Sequence, residues 1–414
     1  MLLKNDKKIV IGYDLANTCS QISYCYRKDE GDVETVGFLE GEENYDIPTV
    51  LCKKIGANQW LFGHAALKFY EQYPEESILV DNLLNQALEG EILQIDGKGY
   101  HPAALLALFV KRSLGIVLKG GSVDKIAMIL FTCQETSRRM SALIQRIGKT
   151  LEIKNAEIHC QNYEESFFAY LSRQPKDMWQ RGALLLDYRN ENMIAVEMDG
   201  NFNTIPPIMY SKQKRYMFDG TDKGLLEIVT DCCQGKTFGA VYLIGQKFGG
   251  SWMDESLKYL CMGRRVFQGN NLYSKGACYG AQQKLGIYQH DENLFLGPDR
   301  LKANVGMKMQ KRGEIVYNAL LDAGMYWETI EEIYEFYLKG ENHLELSVSS
   351  LVKGATKPVL MELEGLKLDR DHVTRIRMKL TMPSENVLTI TVTDLGFGEF
   401  REAGDGKWVK EVEL

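Results

Sequence analysis

The chain has 414 residues, 45% hydrophobic and 25% charged, the profile of a soluble globular protein with too much sequence for a single compact core. Its 49 basic and 56 acidic side chains give a net charge of −7, which leaves no broad basic field to hold a nucleic-acid backbone. Nine cysteines without a CxxC pair read as reduced thiols of a cytoplasmic protein, and the densest apolar run, 103–110, is too short to span a bilayer. The opening residues 1–8 lack a signal-peptide core, so neither nucleic acid nor membrane is an expected partner.

In chain order, an apolar strand at 8–14 ends in Asp14 and is followed by a turn-prone segment and a second strand near 21–27. The pattern then predicts a helix at 102–114, a strand at 125–131, a helix at 135–148, a strand at 156–160 and an aromatic-rich helix at 164–172. Residues 183–187 repeat the opening theme, again ending in an aspartate, Asp187. A strand at 193–198, a turn at 199–201 and a strand to Tyr210 complete a meander. Helices at 222–233, 252–261 and 274–285 alternate with a buried strand at 240–244, so a strand and helix grammar occurs twice within the first three hundred residues.

After Gly297-Pro298 the pattern changes to strict alternation. Leu344, Leu346 and Val348 face one way, as do Ile376, Met378 and Leu380 and then Leu388, Ile390 and Val392, which predicts an antiparallel sandwich. The stripe Arg375, Arg377 and Lys379 on the opposite side reads as a solvated outer face, and the aromatics Phe167, Phe168, Tyr170, Tyr334, Phe336 and Tyr337 read as core. Cys232-Cys233 reads as the buried end of a helix.

Common catalytic motifs are excluded. Gly235-Lys236-Thr237 lacks the glycine five residues earlier that a phosphate-binding loop needs, because Thr230 stands there. Gly396-Phe397-Gly398 lacks the third glycine of a dinucleotide fingerprint. The six histidines are scattered without an HExxH or paired Cys/His cluster, and His64 and His159 read as surface or strand-end residues.

The order of elements, with the segments 11–20, 46–50, 61–65, 184–187, 241–245 and 276–281, resembles the actin and DnaK-type chaperone superfamily, in which two related lobes clasp ATP. The strands after 298 are similar to the substrate-binding β-domain of those chaperones, without its helical lid, and the whole chain resembles an uncharacterised bacterial chaperone-like family more than a true DnaK. The resemblance implies an α/β, duplicated actin-like (ribonuclease H-like) two-lobed domain, with lobe I at 1–180 and a reduced lobe II at 181–297, followed by a β-sandwich at 298–414.

It also implies a site. Asp14, Asn17, Thr18 and Ser20 fall on the first phosphate loop, Asp187 and Arg189 on the second, Gly245 at the adenosine strand, Gly280 on the closing helix and Asn162, or Glu164 or Glu165 if the register slips, where attacking water is oriented, with Asp14 and Asp187 holding Mg through water. Several departures point to a degenerate site. Ala16 replaces a loop glycine, bulky Tyr188-Arg189-Asn190-Glu191 replaces a glycine-rich turn, and the segment 210–222 is too short for an adenine-stacking subdomain. Arg189 either pairs with phosphate or fills the pocket.

The expected function is therefore a chaperone-like pseudo-ATPase that binds a protein or peptide partner at 298–414, with ATP or ADP and Mg as possible ligands. The alternatives are a slow ATP-dependent chaperone and, further off, a filament-forming actin-like protein or a sugar kinase of the same superfamily.

Overall fold

The computed structural model describes residues 8–27, 33–37, 44–134, 136–287, 293–366 and 373–414. It divides into two compact units, Met1–Glu197 with Gln213–Asp291, and Met198–Lys212 with Glu292–Leu414. The expected boundary near 297 thus needs one amendment, since the hairpin tip 198–212 groups with the second unit. There Ile208 to Tyr210 pair in parallel with Leu294 to Leu296, and Asn201 Nδ2 donates to Leu351 O at 2.8 Å.

The first unit opens with β1 (Ile9–Asp14), β2 (Cys19–Tyr26), β3 (Glu34–Thr35) and β4 (Ile47–Pro48). An insertion that the sequence pattern did not predict follows. Strands β5 (Leu51–Lys54), β6 (Trp60–Phe62) and β7 (Ser77–Val80) form an antiparallel sheet with helix α1 (Gly63–Gln72), and α2 (Leu83–Glu89) leads to the hairpin β8 (Leu93–Ile95) and β9 (Lys98–Tyr100). The chain continues through α3 (Pro102–Leu118), β10 (Ile126–Cys133), α4 (Arg138–Thr150), β11 (Glu157–Asn162) and α5 (Tyr163–Leu171). The main sheet has the order β11-β10-β1-β2-β3, with β1 antiparallel to β2 and parallel to β10.

A second run repeats this plan. It comprises β12 (Ala183–Asp187), β13 (Met193–Asn201), β14 (Ile208–Tyr216), α6 (Asp222–Cys233), β15 (Ala240–Ile244), α7 (Asp254–Leu260), β16 (Arg265–Gln268) and α8 (Leu272–Lys284). Its strands lie in the order β16-β15-β12-β13-β14, the same succession as the first sheet. In each run the central parallel strands, β1 and β10 or β12 and β15, are buried at every position, as expected of strands covered on both faces.

Local chemistry sets the boundaries. Ser137 caps α4 by accepting from Met140 N at 3.1 Å, so that helix begins at Arg138 rather than at the predicted 135. Its buried Met140, Leu143, Ile144 and Ile147 follow the i, i+3, i+4, i+7 spacing of an amphipathic helix. The turn predicted at 199–201 lies at 202–207 instead, because β13 runs through Asn201, whose Oδ1 accepts from Asn203 N at 3.0 Å. Cys232 and Cys233 are buried in the last turn of α6, and none of the nine cysteines is in a disulfide.

In the second unit, β17 (Leu294–Leu296) precedes eight strands in two antiparallel four-stranded sheets. One comprises β18 (Ala303–Lys311), β19 (Glu314–Leu321), β21 (His343–Ser350) and β22 (Ala355–Glu362) in the order β19-β18-β21-β22. The other comprises β20 (Glu331–Lys339), β23 (Val373–Ser384), β24 (Val387–Gly396) and β25 (Lys407–Glu413) in the order β20-β23-β24-β25. Leu344, Leu346, Val348, Ile376, Met378, Leu380, Leu388, Ile390 and Val392 share one buried core, the predicted sandwich pattern. Tyr337 departs from the expected core set, being 63% exposed.

Candidate functional site

The two repeats bring equivalent elements to one point. β1 ends in Asp14 and β12 in Asp187, and the residue after each donates to the carbonyl at the end of its parallel neighbour, Leu15 N to Thr132 O and Tyr188 N to Ile244 O, both at 2.9 Å. The helix after the last strand of each repeat supplies a tyrosine at its start, Tyr163 on α5 and Tyr273 on α8. Tyr163 Oη donates to Asp14 Oδ1 at 2.8 Å and Tyr273 Oη to Asp187 Oδ2 at 3.2 Å. The two rings stack with centroids 4.1 Å apart and planes 10° from parallel.

Arg189 lies between the aspartates. Its Nε and Nη2 reach Asp187 at 3.0 to 3.1 Å and its Nη1 reaches Asp14 Oδ2 at 2.8 Å, while its backbone N donates to Asp187 Oδ1 at 3.0 Å. The guanidinium carbon is 4.6 Å from the Tyr163 ring and 4.5 Å from the Tyr273 ring, within cation–π range. A planar fork with several donors suits a bridge between two carboxylates in a way that a lysine would not. Each of the four carboxylate oxygens therefore has a partner.

One cation for two buried carboxylates leaves one negative charge uncompensated, and the strain falls on Asp14. Burial raises its titration to about 6, with Arg189 and Tyr163 pulling the other way and Asp187 adding to the rise. Arg189 stays charged. Burial opposes its charge, but Asp187 and Asp14 hold its ionisation well above the ordinary range. Because Asp14 binds a proton more tightly when folded, its contribution to stability is full below about 3.8 and is lost as pH rises through about 6. Relative to Asp14→Asn, the native chain should therefore gain stability as pH falls from 7 to 5, by up to about 1.4 kcal/mol per unit. Urea unfolding of both proteins across that range checks the slope, and parallel curves would refute it.

The remaining predicted site residues serve other contacts. Asn162 caps α5, its Oδ1 accepting from Glu165 N at 2.8 Å while Glu165 Oε2 accepts from Asn162 N at 3.1 Å, so its side chain is committed to a capping box rather than to a water. Ser20 is buried and its Oγ pairs with Thr49 Oγ1 at 2.9 Å. Asn17 bonds to Asn82 across to the insertion, and Thr18 is exposed, with its carbonyl accepting from Thr49 N at 2.9 Å. Gly245 has φ +119°, and a Cβ there would sit 2.7 Å from the Tyr188 carbonyl, so this glycine admits the turn carrying Arg189. Gly280 packs inside the α8 interface, where a Cβ would meet Gln161 and Leu130 at 3.1 Å. Sequence reasoning missed both tyrosines, although each stands one or two residues after an asparagine that ends a repeat's last strand or precedes its last helix.

A second bridge joins the repeats nearby. Asp46 accepts from Gln21 Nε2 at 2.7 Å through one oxygen and from Gln246 Nε2 at 2.7 Å through the other. Among the described residues no group of three or more His, Cys, Asp or Glu side chains converges to hold a metal ion. Asp14 and Asp187 spend their oxygens on Arg189 and the tyrosines, so the donor set as built does not fit Mg. No helix among the described residues is long and apolar enough to cross a membrane.

Fold and site together define a mixed α/β protein with two repeats, whose strand-end acids share an internal arginine, followed by an antiparallel sandwich. Residues 32–298 match the C-terminal part of a family of unknown function, DUF5716, and the chain belongs to that family. Residues 300–414 match a domain of unknown function, DUF8552. No curated protein matches the chain.

Proposed function

We propose that the chain is a pseudo-ATPase of the actin and DnaK-type superfamily, a binding protein for a protein or peptide partner in which an arginine has taken the place of the metal and nucleotide. The observation that carries this reading is the Arg189 bridge between Asp14 and Asp187. Phosphoryl transfer depends on positioned cations and donors around the phosphates, and here the two acids at the ends of equivalent strands are both paired with one arginine of the chain itself. The broken second loop supports the same reading, since Tyr188 packs against Phe218 and Phe248 and Lys247 donates to Asn190 O at 2.9 Å. That turn is built as packed protein rather than as an open cradle of amides.

Titration of the purified full chain with Mg-ATP and Mg-ADP tests the proposal. The expected result is no phosphate release and a melting temperature unchanged at millimolar nucleotide, in the native chain and in Asp14→Ala alike. A ligand present at 100 times its Kd stabilises by about 2.7 kcal/mol. A nucleotide-dependent rise of several degrees that Asp187→Ala abolishes would overturn the proposal in favour of a nucleotide-driven cycle.

A further inference from the structure

The order of the second sheet in the second unit leaves β20 at one edge, paired among the described residues on its β23 side alone. Edges of this kind are usually blunted, and β20 carries Glu331, Glu335 and Lys339 exposed along it, yet it is nine residues long and also exposes Ile333 at 54% and Tyr337 at 63%. Next to Tyr337 lies Phe397, centroid to centroid at 5.7 Å and edge-on, and then Phe400 at 5.9 Å from Phe397 and 89% exposed. Three neighbouring rings displayed to water form a surface that soluble chains seldom keep without use.

The turn that displays them is firmly tied. Asp394 is buried and accepts from Arg401 Nη1 and Nη2 at 3.0 and 2.7 Å, from Thr374 Oγ1 at 2.6 Å and from Gly396 N at 3.0 Å. Burial works against its charge, but these donors win and hold its carboxyl below the usual range. Gly396 has φ +68°, and a Cβ there would lie 2.4 Å from Arg401 O, so the chain doubles back closely before Phe397 N donates to that same oxygen at 2.7 Å. The rings are presented in a set place, which lowers the ordering cost of binding anything to them.

Charge gives the corner its direction. On the outer face, Arg377 pairs with Glu335 at 2.7 Å and Lys379 with Glu331 at 2.6 Å. Arg375, exposed in the same stripe, stands opposite Tyr337 on one side and Gly396 on the other and has no acidic partner among the described residues. A strand edge and a guanidinium that lack a partner among the described residues thus meet three rings at one corner.

We propose that this corner docks an extended peptide segment of another protein. The segment adds to the free edge of β20, packs an apolar or aromatic side chain among Tyr337, Phe397 and Phe400, and sets a carboxylate on Arg375. The proposal rests on the reading of the chain as a binder of a protein partner. A second copy of the chain fits less well, because its own β20 would add Glu331, Glu332 and Glu335 to an edge that already carries those three acids against one lysine, Lys339.

Fluorescence anisotropy on the full chain tests it, with labelled nonapeptides of alternating threonine and leucine or phenylalanine carrying one aspartate at varied positions. Control peptides carry lysine in place of the aspartate, or a central proline. The expected result is that aspartate peptides bind, lysine or proline weakens binding at least tenfold, Phe400→Ala weakens it about tenfold, and Arg375→Glu reverses the charge preference. Both side chains are exposed, so both variants should melt as the native chain does. Binding that ignores both substitutions would overturn the corner while leaving a peptide-binding function in place. No binding by any peptide, or self-association that Phe400→Ala abolishes, would overturn the proposal.

Discussion

Arg189→Met should destabilise the first unit by about 3–5 kcal/mol at pH 8, the cost of leaving buried acids without their cation. Asp14 and Asp187 are each less than 5% exposed, and among the described residues the arginine is the one positive charge in contact with both. Methionine keeps much of the bulk between Tyr163 and Tyr273 but donates nothing. The defect should shrink as pH falls toward 5, because protonating one carboxyl removes the repulsion. Adding Asp14→Asn and Asp187→Asn to Arg189→Met should restore most of the loss, since a neutral group of similar volume is a tolerable replacement for a buried ionic cluster. Equilibrium unfolding of the single and triple variants checks both statements. A single variant as stable as the native chain would show that the bridge is ornamental.

Gly276→Ala should be nearly as damaging. Its Cβ would lie 1.9 Å from Ser166 O and 2.7 Å from Ser166 C, which are backbone atoms of α5 that no rotamer change can move. The helices α5 and α8 would have to separate, and overpacking of this kind typically costs about 1–3 kcal/mol and sometimes more. Separation would also pull apart Tyr163 and Tyr273, which begin the same two helices. The same substitution at Gly115, exposed in α3 with nothing within 4 Å of the added atom, should stabilise by about 0.5–1 kcal/mol, since alanine is the better helix former. Melting curves of the two variants should shift in opposite directions, and a neutral Gly276→Ala would refute the close crossing.

Much of this architecture was written in apolar periodicity. The buried strands 183–187 and 240–244 and the helix 222–233 were legible to the residue, because continuous apolar runs leave little room for alternatives, and the structure shows Thr221 capping that helix. The insertion at 51–100 was not, since its strands are three or four residues long and carry no alternation to read. At the site, Asp14, Asp187 and Arg189 could be named because each sits at a repeated or conspicuous position. Tyr163 and Tyr273 could not, because a tyrosine at a helix start carries no local sign of the carboxylate it will meet some 90 to 150 residues away in sequence. Asn162 and Gly280 were singled out for chemistry, while their spacing to Glu165 and their place on a helix of small residues marked capping and packing.

The arginine belongs to one repeat only. Two residues after Asp187 stands Arg189, whereas two residues after Asp14 stands Ala16. Interchanging the halves would spoil the arithmetic in either direction. Two copies of the first half would face acid to acid with no cation, and two copies of the second would force two guanidinium groups into space that holds one. Only the unlike pair gives one positive charge between two negative ones. The two runs of like strand order are therefore not interchangeable, because each supplies a different part of the bridge.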